Sequence, residues 1–374
     1  MAKSGFTISA DGVDLPASGD TLLYRIYTYT NDFGAGLSMN LAGDLQVAEG
    51  ATLVQKSGNL CSSAKGSIYA ATVVVEGSSA GLVFKNIDLA ENSGGNLVVR
   101  HGATVTVTNS MVIRAGASVL VENATLKQNT SSTSYSITMK AGATLRVSNS
   151  TLEFPGTKGA LYIDSGATVG FDGAEIKMNG DVGFGGSGAE VVFSGKSSSF
   201  NRRFNMVGDN FTFCITNTTV CFSPATASDL FVTGGRTENE NNGRTLRFCG
   251  AAPRLEVASS GGFYLRGAKG ITLQFDIGRD GFPTDAAIVE ITGGGSFKGD
   301  ATACAASRIV VNVGRQCPPG TYVLLKGKNA STFLTGEDKW VTNSDRAKIF
   351  AATVDGLDAV QVTVKPVGFV LVVR

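Results

Sequence analysis

This sequence predicts an all-β chain wound as a right-handed parallel β-helix, a solenoid with β caps at its N- and C-terminal ends, and three observations predict it. Glycine supplies 48 of the 374 residues, close to twice its usual share of ~7 per cent. One phrase, built as strand, Gly-Ala corner, strand and polar turn, recurs through the first half. Within each copy the apolar residues alternate by two, as strands require, and not by three and four.

Residues 1–44 lack the phrase and hold the alternating run LLYRIYTYT (22–30), which predicts an N-terminal cap over the first coil. Tyr24, Tyr27 and Tyr29 there either close the open end or offer a stacking platform for a sugar. Residues 45–300 predict the solenoid. Copies run at 45–58, 97–110, 111–128, 137–154 and 161–178, with a decayed one at 182–200. Corner glycines Gly116, Gly142, Gly166 and Gly188 are 26, 24 and 22 residues apart, a solenoid period. Val105 and Val107 alternate with Thr104, Thr106 and Thr108, and Leu145 and Val147 with Thr144, Arg146 and Ser148, so each strand has one apolar side. Stacked copies bury those sides as continuous columns, each side chain contributing roughly 1.5–3 kcal/mol. A helical reading puts Gly and β-branched residues in helix interiors at a few tenths to ~1 kcal/mol each.

Glycine at the corner supplies positive φ, and Asn109, Asn123 and Asn149 suit a second turn, because Asn tolerates the left-handed region. The 14 residues from Gly102 to Gly116 are too few for a three-sided coil, so either that coil is tight or the two copies lie on different faces. The insert at 128–136 predicts a loop. Between 200 and 300 the pattern loosens while strands continue, as in FTFCITNTTVCFS and FYLRGAKGITLQFDIG. Residues 301–374 predict closing strands. Val360, Val362 and Val364 alternate, 366–368 turn, and Phe369, Val370, Leu371, Val372 and Val373 make an apolar strand that must pair. Two pairings are open: a fold back onto its own solenoid, or addition to the edge of a neighbouring subunit.

With 32 basic and 31 acidic residues the chain has no basic field for nucleic acid or anionic lipid. No apolar run reaches the ~18 residues of a membrane-spanning helix. The start lacks a signal peptide, so either a leader precedes Met1 in the precursor or Met1 was added for expression. Six cysteines (Cys61, Cys214, Cys221, Cys249, Cys304, Cys317) form no CxxC pair, and no zinc spacing is present. In an oxidising compartment Cys214 with Cys221, and Cys304 with Cys317, are the local disulfide candidates; stacked thiols in the core are the alternative.

No catalytic, cofactor or metal set emerges. Glycosidases need two carboxyl groups roughly 5–9.5 Å apart; Asp164 and Asp172 flank one corner, and Asp276, Asp280 and Asp285 sit in DIGRDGFPTDA, reading as turn, outward or loop positions. The sole histidine, His101, falls in a repeat corner. No G-x-S-x-G elbow accompanies it. The glycine clusters 183–188 and 293–295 read as tight turns, and Arg202-Arg203 and ENENN (238–242) as solvated loops.

The GAT[VL]xV phrase, in copies at Gly50, Gly102, Gly142 and Gly166, and the stretch IVVNVGRQCPPGTYVLLKGKNAS (309–331) resemble right-handed parallel β-helix proteins of bacterial surfaces, autotransporter passenger domains and autotransporter-associated strand-repeat proteins. The resemblance implies an extracellular or cell-surface location and, at GTYVLL, closure of the solenoid. After Val360 too few residues remain for a membrane barrel. The expected function is a non-enzymatic adhesin passenger or fibre or layer subunit, self-associating through solenoid ends or the C-terminal strand and meeting glycans or a host surface. The alternative is a carbohydrate-active β-helix, a polysaccharide lyase or glycoside hydrolase with its catalytic groups in 200–300.

Overall fold

The computed structural model describes residues 6–9, 12–14, 38–40, 45–47, 52–61, 72–89, 95–129, 137–154, 161–178, 183–186, 188–201, 205–207, 210–224, 227, 229–233, 244–267 and 269–367. They form a right-handed parallel β-helix. Among them the one helix is the short Ala-rich segment Ala301–Ala306. Contacts divide the chain into Met1–Val191 and Val192–Arg374.

In the first unit a coil contributes three strands, or two where the second and third run on as one, as in Gly81–Leu89 and Thr104–Ile113. One coil is Ser118–Glu122, Thr125–Gln128 and Ile137–Met139; the next is Thr144–Ser148, Thr151–Phe154 and Leu161–Ile163. Each strand lies parallel to its counterpart one coil on, as in Val121↔Val147, Leu126↔Leu152 and Ile137↔Leu161. The alternation places Val99, Val121, Val147 and Phe171 in one interior column and Leu97, Val119, Leu145 and Val169 in another, all at most 1% exposed. Neighbours in a column are one strand spacing apart, about 4.8 Å.

Two corners carry the left-handed residues. The first strands of the coils, Ser118–Glu122 and Thr144–Ser148 among them, stack as the first sheet and the second strands, such as Thr125–Gln128 and Thr151–Phe154, as the second. The corner before the first-sheet strands holds Gly116, Gly142 and Gly166, at φ 73°, 77° and 82°, and Gly116 N–H donates to Gly142 O as Gly142 N–H does to Gly166 O. The corner after those strands holds His101, Asn123 and Asn149 at φ 56°, 48° and 46°. Gly102 adjoins this second corner, donating to Asn123 O. The 14-residue spacing is therefore the distance between different corners, and the two copies lie on different faces. Asn109 departs from the expected turn: it lies inside the continuous strand Thr104–Ile113, where its Nδ2 donates to Asn86 Oδ1 at 2.7 Å. At the N-terminal end Phe6–Ser9 pairs parallel with Leu45–Val47 and antiparallel with Gly12–Asp14; 22–30, with its three tyrosines, lies outside the described residues.

The second unit keeps the plan with different dimensions. Thr212, Thr245, Thr272 and Arg308 stack in register, so successive coils take 33, 27 and 36 residues where the first unit takes 22, 26 and 24 between Asn96, Ser118, Thr144 and Thr168. Phenylalanine replaces valine inside: Phe248 and Phe275 stack at 5.0 Å, and Phe263, Phe297 and Phe333 form a cluster. The closure reverses direction. Gly320–Lys326 runs parallel to Val289–Ile291 on one side and antiparallel to Leu357–Val364 on the other. Leu357–Val364 in turn forms a hairpin with Ala347–Val354 through Asp355-Gly356, both at positive φ, the backbone that suits a two-residue hairpin turn. Val360, Val362 and Val364 face inward, at most 1% exposed. Phe369, Val370, Leu371, Val372 and Val373 lie outside the described residues.

Candidate functional site

Alternation leaves every second strand residue pointing outward, and the register sets outward residues of successive coils side by side. In the first unit they pair across coils: Arg100 with Glu76 at 2.7 Å, Lys127 with Glu153 at 3.0 Å, Lys140 with Asp164 at 3.2 Å, and Arg114 with both oxygens of Asp88 at 2.6 and 2.8 Å. His101 Nδ1 lies 2.9 Å from Glu76 Oε1. Hydrogen bonds from Arg100 and then His101 hold the Glu76 carboxyl below its ordinary range. The sole histidine thus occupies a turn, where its residue type tolerates positive φ, and braces the coil beneath.

The second unit gathers outward polar groups into clusters: Lys298 pairs with Asp229 at 2.9 Å beside Tyr264, which donates to Asp300 at 2.9 Å, and two larger clusters lie on the other sheets. On the second sheet, Glu256 and Glu290 are register partners. Arg254 reaches Glu290 at 2.7 Å and Glu256 at 3.8 Å, and Lys326 reaches Glu290 at 3.1 Å and Asp355 at 2.8 Å. Asp355 first, then Glu290, pushes the Lys326 ammonium up. On the first sheet Asp276 is a hub. It accepts from Arg247 Nε at 2.5 Å, from Asn312 Nδ2 at 2.7 Å and from Gln274 Nε2.

Beside that hub lies a thiol pair. Cys214 in Thr212–Thr216 and Cys249 in Thr245–Cys249 bring their sulfurs to 3.3 Å. Cys214 is buried and Cys249 half-buried. The hydrogen bond from Cys214, with those of Thr216 and the charge of Arg247, holds the Cys249 thiol well below the usual range against the opposing effect of burial. Burial pushes the thiols of Cys221, Cys304 and Cys317 up.

None of the five cysteines whose side chains are described, Cys214, Cys221, Cys249, Cys304 and Cys317, is in a disulfide. Cys214 and Cys221 lie on different sheets, so Cys214 meets Cys249 and not Cys221. Cys304 sits in the helix and Cys317 in the turn after Arg308–Val313, its Sγ donating to Pro318 O at 3.4 Å. Of the carboxylates singled out from sequence, Asp164 pairs with Lys140, Asp172 ends a strand, Asp276 lies on a strand and not in the loop expected of it, and Asp280 and Asp285 are exposed. Arg202, Arg203 and 238–242 lie outside the described residues. Among the described residues no group of three His, Cys, Asp or Glu is placed to hold a metal ion, and no helix is long and apolar enough to cross a membrane.

Sequence reasoning passed over Cys249, Arg247, Glu256 and Glu290. One signal for the thiol pair was present: Thr216-Asn217 and Cys249-Gly250 both precede a corner, and aligning the corners sets Cys214 within two residues of Cys249 on neighbouring strands. Compared with family models, curated proteins and solved structures, the chain finds no match.

Proposed function

We propose that this chain is a non-enzymatic structural solenoid, displayed outside the cell or on its surface as an adhesin passenger or as a subunit of a fibre or layer. The observation that carries the reading is the use of outward charge. Arg100, Arg114, Lys127, Lys140, Arg247, Arg254 and Lys326 each engage a carboxylate on a neighbouring coil or strand, so the polar surface serves to hold coil to coil. The surface location and the autotransporter-passenger and strand-repeat kinship come from the GAT[VL]xV phrase, and glycans or a host surface are the partners they imply. Protease treatment of intact source cells tests the location: the folded chain is cleaved with the membrane unbroken if it is displayed, and survives until lysis if it is not.

A second reading, carbohydrate cleavage, draws on Glu256 and Glu290. Their backbones are one strand spacing apart, about 4.8 Å, near the ~5–5.5 Å carboxyl separation of retaining glycosidases. Arg254 and Lys326 engage Glu290, which favours the structural role. Incubation with pectin-like and other acidic polysaccharides separates the two. The structural role gives no new reducing ends or unsaturated product above a heat-denatured control; turnover lost in E256Q or E290Q overturns it.

A further inference from the structure

We propose that Cys249 and Cys214 form an oxidant-sensitive pair, with Cys249 the attacking sulfur and Cys214 the resolving one, that closes a disulfide between successive coils of the second unit. The sulfurs stand 3.3 Å apart, about 1.3 Å beyond the ~2.05 Å of a disulfide bond. Cys214 neighbours Arg247 in register and Cys249 neighbours Thr216, so the two cysteines share the outward face of the first sheet. The register sets them diagonally. Closing the bond therefore needs the two strand ends to shift along one another by part of the two-residue offset, next to the Asn217 and Gly250 corner, where the ladder ends and the chain turns.

The surroundings assign the roles. Half-exposed Cys249 is open to a small oxidant, whereas Cys214 is 5% exposed and faces Cys249. The Arg247 guanidinium is fixed by Asp276, and with the Cys214 hydrogen bond it favours thiolate at Cys249, the nucleophilic form. No other two described cysteines are in hydrogen-bonding contact, so Cys221, Cys304 and Cys317 act as internal controls.

With a hydroperoxide as oxidant the steps balance. The Cys249 thiolate attacks one oxygen of hydrogen peroxide, the O–O bond breaks, and hydroxide leaves and is protonated to water, giving the sulfenic acid. The Cys214 sulfur then attacks the Cys249 sulfur. The S–O bond breaks, and the departing hydroxide takes the Cys214 proton as a second water. Two thiols lose two electrons in all, and one peroxide becomes two waters.

The test treats the folded full-length chain with limiting hydrogen peroxide, blocks remaining thiols with iodoacetamide and maps unreduced peptides by mass spectrometry. The expected product is a single cross-link joining the peptides of Cys214 and Cys249, with the other four cysteines alkylated. Before oxidation, iodoacetamide modifies Cys249 at least about tenfold faster than Cys304 or Cys317 at neutral pH. C214S leaves Cys249 trapped as sulfenic acid by dimedone, and C249S abolishes oxidation at both positions, each with unchanged circular dichroism. Six alkylatable thiols after peroxide, oxidation spread evenly over the cysteines, or a cross-link joining any other pair overturns the proposal.

Discussion

The two units solve one packing problem with different side chains. In the first, columns of Val and Leu repeat at 22 to 26 residues per coil. In the second, stacked phenylalanines such as Phe211, Phe213, Phe248 and Phe275 fill the interior while coils lengthen to 27–36 residues. Aliphatic side chains of similar size pack alike from coil to coil, Phe171 being the exception in these columns, and keep the corners at near-regular intervals. Aromatic rings bury more area each and pack less uniformly. The second unit retains a small void of about 20 Å³ lined only by apolar residues, Phe193, Phe213, Val220 and Val232 among them. Regular packing makes a repeat visible in the sequence, whereas bulky packing preserves the register and hides the repeat.

The largest effect expected from this contrast comes from truncating one column residue in each unit. F248A loses about 3–5 kcal/mol, and V121A roughly half of that, both read from chemical-denaturation midpoints. A V121A loss equal to that of F248A breaks the comparison. Next come the corners. At Gly142 (φ 77°) a side chain is strained in the left-handed region, and G142A costs about 1–2 kcal/mol. N149G is near neutral, because Gly adopts the same backbone and the side chain's hydrogen bond to Ser148 Oγ is long, at 3.5 Å, and exposed.

Filling the void is smaller and opposite in sign. V220I in the second unit gains up to about 1 kcal/mol, whereas V147I in the first overpacks a full column and loses about 1–3 kcal/mol. Thermal midpoints moving the same way would refute the packing difference.

The smallest effects separate the units by pH. Arg100 and His101 lower the Glu76 pKa, so its contribution is present above the unfolded carboxylate value of about 4.3 and is lost as pH falls through the lower folded value. Asp355 and Glu290 raise the Lys326 pKa, so its contribution is present below the unfolded value of about 10.4 and is lost as pH rises through the higher folded value. E76Q flattens the acid limb of the stability curve and K326M the alkaline limb. Each leaves the other limb unchanged in pH-dependent melting.

The fold class and the first unit's columns were legible because GAT[VL]xV fixes both the corner and the phase of the next strand. His101 was recognisable as a corner residue by its place beside Gly102, though its contact with Glu76, 25 residues away, was not. The assignment of Gly102 and Gly116 to different corners needed the register. In the second unit no local phrase announces which residues stack. Cys214 and Cys249 are 35 residues apart and Glu256 and Glu290 lie in coils of unequal length, so sequence proximity offered Cys221 as the local candidate beside Cys214, whereas the register brings Cys249 to it. Closure was legible from GTYVLL and from the alternation of Val360, Val362 and Val364, but its antiparallel direction was not, since alternation carries no information about strand direction.

The reversal at Leu357–Val364 bears on how such a stack acquires its length. A parallel coil presents the same slanted donor and acceptor pattern at its free edge as it received, so each added coil invites another. At the closure the strand of opposite polarity replaces that slanted pattern with the spacing of an antiparallel ladder, and Ala347–Val354, which runs with the coils again, covers its far side. Among the described residues a hairpin, and not a further coil, therefore occupies that edge.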